Sequence, residues 1–360
     1  MVCSYGETLK AKKRYVQSLF SKVKVCDPIG MAEPYHYRHK IYAAFGKSRQ
    51  GQIVAGMYEE NSHRLVRVVD CAIQHPLANH IITQICHIAG RMELTPYDED
   101  RRQGILRQVY IRISKKTQTA LVVLVIGSRE LPGARYFARQ LQQHCPQVET
   151  LVLNWNHRRT SMVLGERFKV LYGRGWIEDA ISGVLFRISP LSFYQVNPEM
   201  TEVLYRTALE MADIHGDDHV LDACCGIGTI SLLAAKKAQS VTGIEINADA
   251  ICDARYNARR NGIKNVKFIC ADAGHYMRGK AHYDVVVADP PRSGLSADFL
   301  RMVLKDKPRT FIYLSCNPLT QARDLEMLKG YYHMQKIVPV DQFPWTEHVE
   351  CIALIQRVKS

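Results

Sequence analysis

The stretch Val220-Leu221-Asp222-Ala223-Cys224-Cys225-Gly226-Ile227-Gly228-Thr229 decides the fold. It reads as an apolar strand, a tight Gly-x-Gly turn and the first residue of a helix, an arrangement that lays backbone N–H groups beside a ligand. Working outward, strand and helix alternate: strand 220–223, helix 229–237, strand 240–246, helix 248–261, strands 266–270 and 284–288, helix 297–304, strand 309–314, helix 319–328, and closing strands near 334–340 and 350–357. Upstream, Asn197-Pro198 offers an N-cap and a proline at the first position of a helix over 198–213. Alternation at this spacing predicts an α/β domain built on a doubly wound, largely parallel sheet with right-handed crossovers.

The first half follows another pattern. Leu9, Tyr15, Val16, Leu19, Phe20 and Val23 form a helical stripe within 7–24, surrounded by lysines and an arginine, and Asp27-Pro28 is expected to end that helix. Residues 34–73 read as β-rich, 74–93 as a helix, 105–113 and 119–126 as strands, 133–143 as a helix, 151–153 as a strand, and 162–188 as short strands punctuated by glycines. The expected organisation is a basic N-terminal helix (1–24), an α+β central domain (25–185) and a Rossmann-like domain (186–360), with the boundary inside 185–197.

Composition narrows the class. Hydrophobic residues make up 47% and charged residues 23% of the 360, ordinary for a globular protein. The longest strongly apolar stretch, 120–127, is too short to span a bilayer, and no signal-peptide pattern opens the chain. A monomer in the cytoplasm without membrane contact is expected. The 11 cysteines are odd in number and lack C-x-x-C spacing, so no disulfide framework is expected and most should be small buried hydrophobes. The net charge of +13 is uneven: residues 1–180 carry 27 Lys+Arg against 15 Asp+Glu, and residues 181–360 carry 21 against 20. That asymmetry suggests a polyanion-binding portion joined to a nearly neutral catalytic one.

Site candidates follow from the sheet. Glu245 ends the strand after the glycine loop, 17 residues past Gly228, where an acidic side chain can bind both hydroxyls of a ribose. No third glycine follows Gly226 and Gly228. With no pyrophosphate to cradle, S-adenosylmethionine fits better than NAD. Asp272 follows the next strand, placed either to bind an adenine amino group or to cap a helix. Asp289, in Asp289-Pro290-Pro291-Arg292, ends the run Val285-Val286-Val287-Ala288 and should face the ligand crevice. Cys316 follows Phe311-Ile312-Tyr313-Leu314-Ser315, and Glu350 follows Asp341-Gln342-Phe343-Pro344-Trp345-Thr346-Glu347-His348-Val349. A thiol and a carboxylate so placed suggest a covalent nucleophile and a base.

Together, Ser189-Pro190-x-Ser192-Phe193-Tyr194-Gln195-Val196-Asn197, Cys225-Gly226-Ile227-Gly228-Thr229, Asp289-Pro290-Pro291-Arg292-x-Gly294, Ser315-Cys316-Asn317-Pro318 and Phe343 to Glu350 resemble the RNA uracil-5-methyltransferases in order and spacing over roughly residues 30–360. The resemblance implies methyl transfer from S-adenosylmethionine to C5 of a uridine in tRNA or large-subunit ribosomal RNA. It is closest to short bacterial relatives acting on 23S rRNA. It implies that Cys316 is the nucleophile and Glu350 the general base. It also implies that Gln195, Glu245 and Asp289 contact the cofactor, with Cys224, Gly226, Gly228, Thr229 and Asp272 at neighbouring contact positions. Tyr35-His36-Tyr37-Arg38-His39-Lys40 looks like the family's basic stretch, so Arg38 and Lys40 are expected to bind RNA.

Departures accompany the resemblance. Cys224 stands where the family usually has an aromatic residue over the cofactor. The chain has no room for the small N-terminal β-barrel of many relatives. Cys3 and Cys71 could be remnants of a four-iron cluster site. The closely spaced cysteine group is absent and Cys26 is too isolated to complete it, so neither a cluster nor any other metal is expected. Three alternatives remain on residues alone. A cytosine-5 enzyme usually has Pro before its cysteine, where this chain has Ser315. An amino-group methyltransferase would favour Asn-Pro-Pro-aromatic. A catalytically idle RNA-binding or ribosome-assembly factor would not need Cys316 and Glu350.

Overall fold

The computed structural model describes residues 4–159, 162–277 and 282–358. From the N-terminus, α1 (Tyr5–Leu19) and β1 (Lys24–Val25) come first, followed by β2 (Lys40–Lys47), β3 (Ile53–Tyr58), β4 (Leu65–Arg67), α2 (Pro76–Arg91), β5 (Leu106–Ile113), β6 (Ala120–Ile126), α3 (Ala134–His144), β7 (Val148–Trp155) and β8 (Arg167–Tyr172). A two-stranded ribbon, β9 (Ile177–Ile181) and β10 (Val184–Ile188), leads into α4 (Pro198–Ala212), β11 (His219–Ala223), α5 (Thr229–Ala234), β12 (Ser240–Glu245), α6 (Ala248–Arg260), β13 (Val266–Cys270) and α7 (Ala273–Tyr276). The chain closes with β14 (Val285–Ala288), α8 (Ala297–Asp306), β15 (Thr310–Ser315), α9 (Pro318–Glu326), β16 (Tyr332–Val340) and β17 (Glu350–Arg357).

Contacts divide the chain into two compact units. One holds the residues up to Pro34 together with Ile181–Phe186 and everything from Leu191. The other holds Tyr35–Ala180 and Arg187–Pro190.

In the first unit eight strands run in the order β1-β16-β17-β15-β14-β11-β12-β13. β11, β12, β13, β14 and β15 are mutually parallel, and β17 lies antiparallel between β15 and β16. The order reverses beside β11, the strand that carries the glycine loop. Ligand crevices open at such reversals, beyond the carboxyl ends of the strands. Val285, Val286, Val287 and Ala288 are completely buried, as the uninterrupted apolar run of a strand covered on both faces should be.

In the second unit a seven-stranded sheet runs β4-β3-β2-β5-β6-β7-β8, antiparallel except where α3 carries the chain between β6 and β7. Every second residue of its inner strands joins one core: Ile41, Ala43 and Phe45 on β2, Val109, Ile111 and Ile113 on β5, and Ala120, Val122, Leu124 and Ile126 on β6. α2 adds Ile81, Ile82, Ile85 and Ile88, and α3 adds Phe137 and Leu141. The α+β expectation for this half matches that architecture.

Three expectations need correction. The N-terminal helix is not a separate basic arm. It stops at Leu19 rather than near Asp27, because Lys24 and Val25 pair with Lys336 and Ile337 at the sheet edge. Val16 and Phe20 are buried in the same core as Phe311 and Ile355. The first unit therefore takes in residues up to Pro34 rather than 24, and beyond Ala180 the chain crosses between the units until Leu191. Finally, all ten described cysteines are free, but only Cys145, Cys225 and Cys351 are buried. Cys3 lies outside the described residues. Among those residues, no helix is long and apolar enough to cross a membrane.

Candidate active site

Glu245, Asp289 and Cys316 sit at or just past the carboxyl ends of β12, β14 and β15, and Glu350 opens β17. β15 and β17 are antiparallel neighbours, and their last aligned pair is Ser315 with Cys351. Cys316 and Glu350 are the residues just beyond that pair, near enough for the Glu350 charge to act on the Cys316 thiol. Sheet pairing thus brings together a thiol and a carboxylate 34 residues apart in sequence.

The turn holding Cys316 is pinned by its neighbours. Ser315 Oγ accepts from the Asn317 N–H (3.1 Å) and donates to the Asn317 carbonyl (3.0 Å). Asn317 caps α9, with Pro318 next, and its Nδ2 donates to the Arg292 carbonyl (3.1 Å). That bond ties the turn after β14 to the turn after β15. Arg292 Nη2 reaches His348 Nδ1 (3.2 Å), and the Arg292 side chain is near enough to Cys316 to favour its thiolate.

Burial sets the electrostatics. Glu350 is 3% exposed. Desolvation, then the nearby Asp289 carboxylate, push its carboxyl up to about 8, with Arg292 opposing. Asp289 is half-buried, yet protein crowded around its carboxyl raises it to about 7, while a hydrogen bond from Tyr205 opposes the shift. Gln195 is near enough to the Tyr205 hydroxyl to oppose its upward shift, which burial causes. The Cys316 thiol is raised by burial and by Glu350, and Arg292 acts in the other direction. Carboxylates and thiol crowd one another here, and Arg292 is the cation that offsets them.

The glycine loop lies beside this cluster. Glu245 ends β12 and accepts from the Gly226 N–H (3.1 Å) and the Asn247 N–H (2.9 Å). Gly226 and Gly228 both have positive φ, 54° and 83°. A Cβ on Gly226 would meet nothing within 4 Å, so this backbone is open to a ligand. A Cβ on Gly228 would lie 2.7 Å from the Phe268 ring. Cys224 adopts φ 62° without being glycine, a conformation that costs about 1–2 kcal/mol. Thr229 is buried at the start of α5. Asp272 does cap a helix: its carboxylate accepts from the His275 N–H (2.8 Å) at the head of α7. An acidic strand end, an open Gly-x-Gly backbone and further acids at the next strand ends suit a ribose-bearing, positively charged cofactor.

Sequence reasoning passed over four residues of this site. Asp222 is completely buried, bonded by Ser231 Oγ (2.5 Å) and raised to about 7 by desolvation. Tyr205 was hidden inside a helical apolar stripe. Arg292 and His348 stood inside quoted motifs, where their approach to each other depends on tertiary pairing.

Arg38 and Lys40 lie in the other unit. Lys40 opens β2 opposite Arg112 on β5. Burial, Arg112 and Arg38 lower its pKa to about 7, so it is not the permanently charged lysine that the sequence suggests.

The strand order and the acidic strand ends define a Rossmann-like methyltransferase, and the paired thiol and carboxylate narrow the class further. The chain belongs to the tRNA (uracil-5-)-methyltransferase family, whose model matches residues 4–358. It is 42% identical to an uncharacterized RNA methyltransferase of Halalkalibacterium halodurans, over 98% of this chain and 79% of that protein. It is 39% identical to another from Caldanaerobacter subterraneus, over 99% and 80%. Among solved structures it resembles the Pyrococcus abyssi tRNA (uracil-54, C5)-methyltransferase in complex with S-adenosyl-L-homocysteine. That match has 25% identity and a TM-score of 0.82, and covers 98% of this chain and 83% of that one. The chain is thus an RNA methyltransferase.

Proposed function

We propose that this protein transfers a methyl group to C5 of a uridine in RNA, with Cys316 as nucleophile and Glu350 as general base. The observation that carries the reading is the pairing of β15 with β17 out to Ser315 and Cys351, which leaves Cys316 and the buried Glu350 as the next residues on either side. C5 of uracil is a poor nucleophile. Addition of the Cys316 thiolate at C6 forms a C–S bond and makes C5 enolate-like. Arg292, near the thiol, favours its ionised form. Bound S-adenosylmethionine supplies an electrophilic methyl group. Gly226, Gly228 and Glu245 would hold it, with Gln195 and Asp289 beside them, and Cys224, Thr229 and Asp272 at the rim. After C5 is methylated, Glu350 takes the C5 proton and the electrons of that C–H bond expel Cys316, regenerating the thiolate. The target base must leave its stack to reach the site.

Arg38 and Lys40 are proposed RNA contacts. The favoured RNA is 23S rRNA, on the strength of the motif set. The likeness to the P. abyssi tRNA enzyme supports tRNA as the second reading. Mapping 5-methyluridine in rRNA and tRNA from cells lacking the protein separates the two.

Cys316→Ala should abolish turnover and leave cofactor affinity within about twofold, because the thiolate acts only on the base. Glu350→Gln should complete methyl transfer and then stall. A protein–RNA adduct should survive denaturing electrophoresis, and it should vanish in the Cys316→Ala, Glu350→Gln double variant. Normal turnover in either single variant would refute that residue's role.

A further inference from the structure

Residues 341–349 connect β16 to β17, and Glu350 is the first residue beyond them. That loop is fastened by the beginning of the chain. Lys12 of α1 is 4% exposed, and the other basic residues of that helix are not buried. Lys12 Nζ donates to Asp341 Oδ1 (2.5 Å) and to the Phe343 carbonyl (3.1 Å). The Tyr5 hydroxyl donates to Asp341 Oδ2 (2.8 Å) and accepts from the Met31 N–H (2.9 Å). The Asp341 N–H donates to the Ile29 carbonyl (2.8 Å). The Tyr5 ring lies 5.4 Å from that of Trp345, whose indole N–H donates to the Pro34 carbonyl (2.8 Å).

The fastening continues into the site. The Phe343 ring meets that of His348 edge-on at 6.1 Å, His348 meets Arg292, and the Arg292 charge acts on the Cys316 thiol. Lys12 therefore touches the loop at two acceptors, and the loop runs into Glu350 and, through His348, contacts Arg292.

We propose that Lys12 and Tyr5 are positioning residues for proton abstraction: they fix the 341–349 loop so that Glu350 and Arg292 stay in register with Cys316. This rests on the roles given above to Cys316 and Glu350. A buried ion pair stabilises a fold little better than apolar groups of the same volume. It does hold two segments in one relative position, which an apolar contact permits to slide. Here the pair joins residues at opposite ends of the sequence and divides one ammonium between a side chain and a main-chain carbonyl, so both the loop's path and its tilt are set.

The test compares Lys12→Met with the double variant Lys12→Met, Asp341→Leu, in which the buried pair is replaced by apolar groups and no lone charge remains. Melting temperature, S-adenosylmethionine affinity, kcat and KM for RNA, and adduct accumulation on denaturing gels are read together. The double variant should melt near the parent and bind the cofactor equally well. Its kcat should fall roughly 100-fold, the scale of a misplacement of about 1 Å, with KM for RNA little changed and the adduct accumulating. Lys12→Arg should regain part of the kcat. A folded double variant with parental kcat would overturn the proposal. So would a parallel loss of melting temperature, cofactor affinity and kcat in both variants, since that marks a role in folding alone. Glu350→Gln is run alongside. If it turns over normally, the reading of the base has failed. If it stalls and the Lys12 variants do not, only the positioning role has failed.

Discussion

Glu350 and Asp289 are acids held above the usual carboxylate range, to about 8 and about 7, with burial as the main cause. In the proposed mechanism proton abstraction needs Glu350 ionised, and addition needs the Cys316 thiolate, itself disfavoured by burial. Both reactive fractions grow as pH rises. Turnover should therefore climb between about pH 6.5 and 8.5, and a flat profile would count against this environment for the base. Stability should run the other way. Each carboxyl binds its proton more tightly folded than unfolded, so the contribution is complete below the ordinary values near 4 and is lost as pH rises through 7 to 8. The melting temperature of cofactor-free protein should fall from pH 5 to pH 8, and Glu350→Gln should flatten part of that slope.

At the scale of elements, the glycine loop carries the most specific expectation. Gly228 combines a φ of 83° with a Phe268 ring in the way of any Cβ. Gly228→Ala must strain the turn by about 1–2 kcal/mol and displace the ring as well. Cofactor affinity should drop at least tenfold while the second unit's sheet stays intact; calorimetric titration measures the first and native-state hydrogen exchange the second. The elements themselves were readable because their signals are local. Asn197-Pro198 predicted the start of α4 at the right residue, and the 285–288 run predicted β14. The register that sets Cys316 against Glu350 was not local, nor was the destination of α1. Its apolar stripe says only that one face is buried. Its lysines read as a basic surround to that stripe, and no periodicity singles out Lys12 for an aspartate 329 residues away. β1 was missed because two residues at a sheet edge carry no pattern.

Over the whole molecule, 12 of the 13 net positive charges lie in residues 1–180. RNA affinity should fall steeply with salt, by a log–log slope of about 0.7 for each phosphate neutralised on a single strand, and Arg38→Glu should reduce that slope without altering cofactor binding. Lys40 adds a pH term. With its pKa near 7 it is charged below that pH and neutral above, so RNA affinity should weaken from pH 6 to 8 more in the parent than in Lys40→Met. Equal pH dependence in the two would place Lys40 away from the RNA.

The pairing of α1 and β1 with the far end of the sheet bears on how the protein is made. Lys12 leaves the ribosome hundreds of residues before Asp341 does. Until the last strands emerge, α1 carries a lysine meant for burial and an apolar face with no sheet to cover it. Closing a loop of that length is an entropic cost met late, and multi-unit chains fold piecewise as they are synthesised. The nascent chain therefore has to keep that helix unattached until residues 341–349 emerge, and the contacts of Lys12 and Tyr5 with Asp341 form only then.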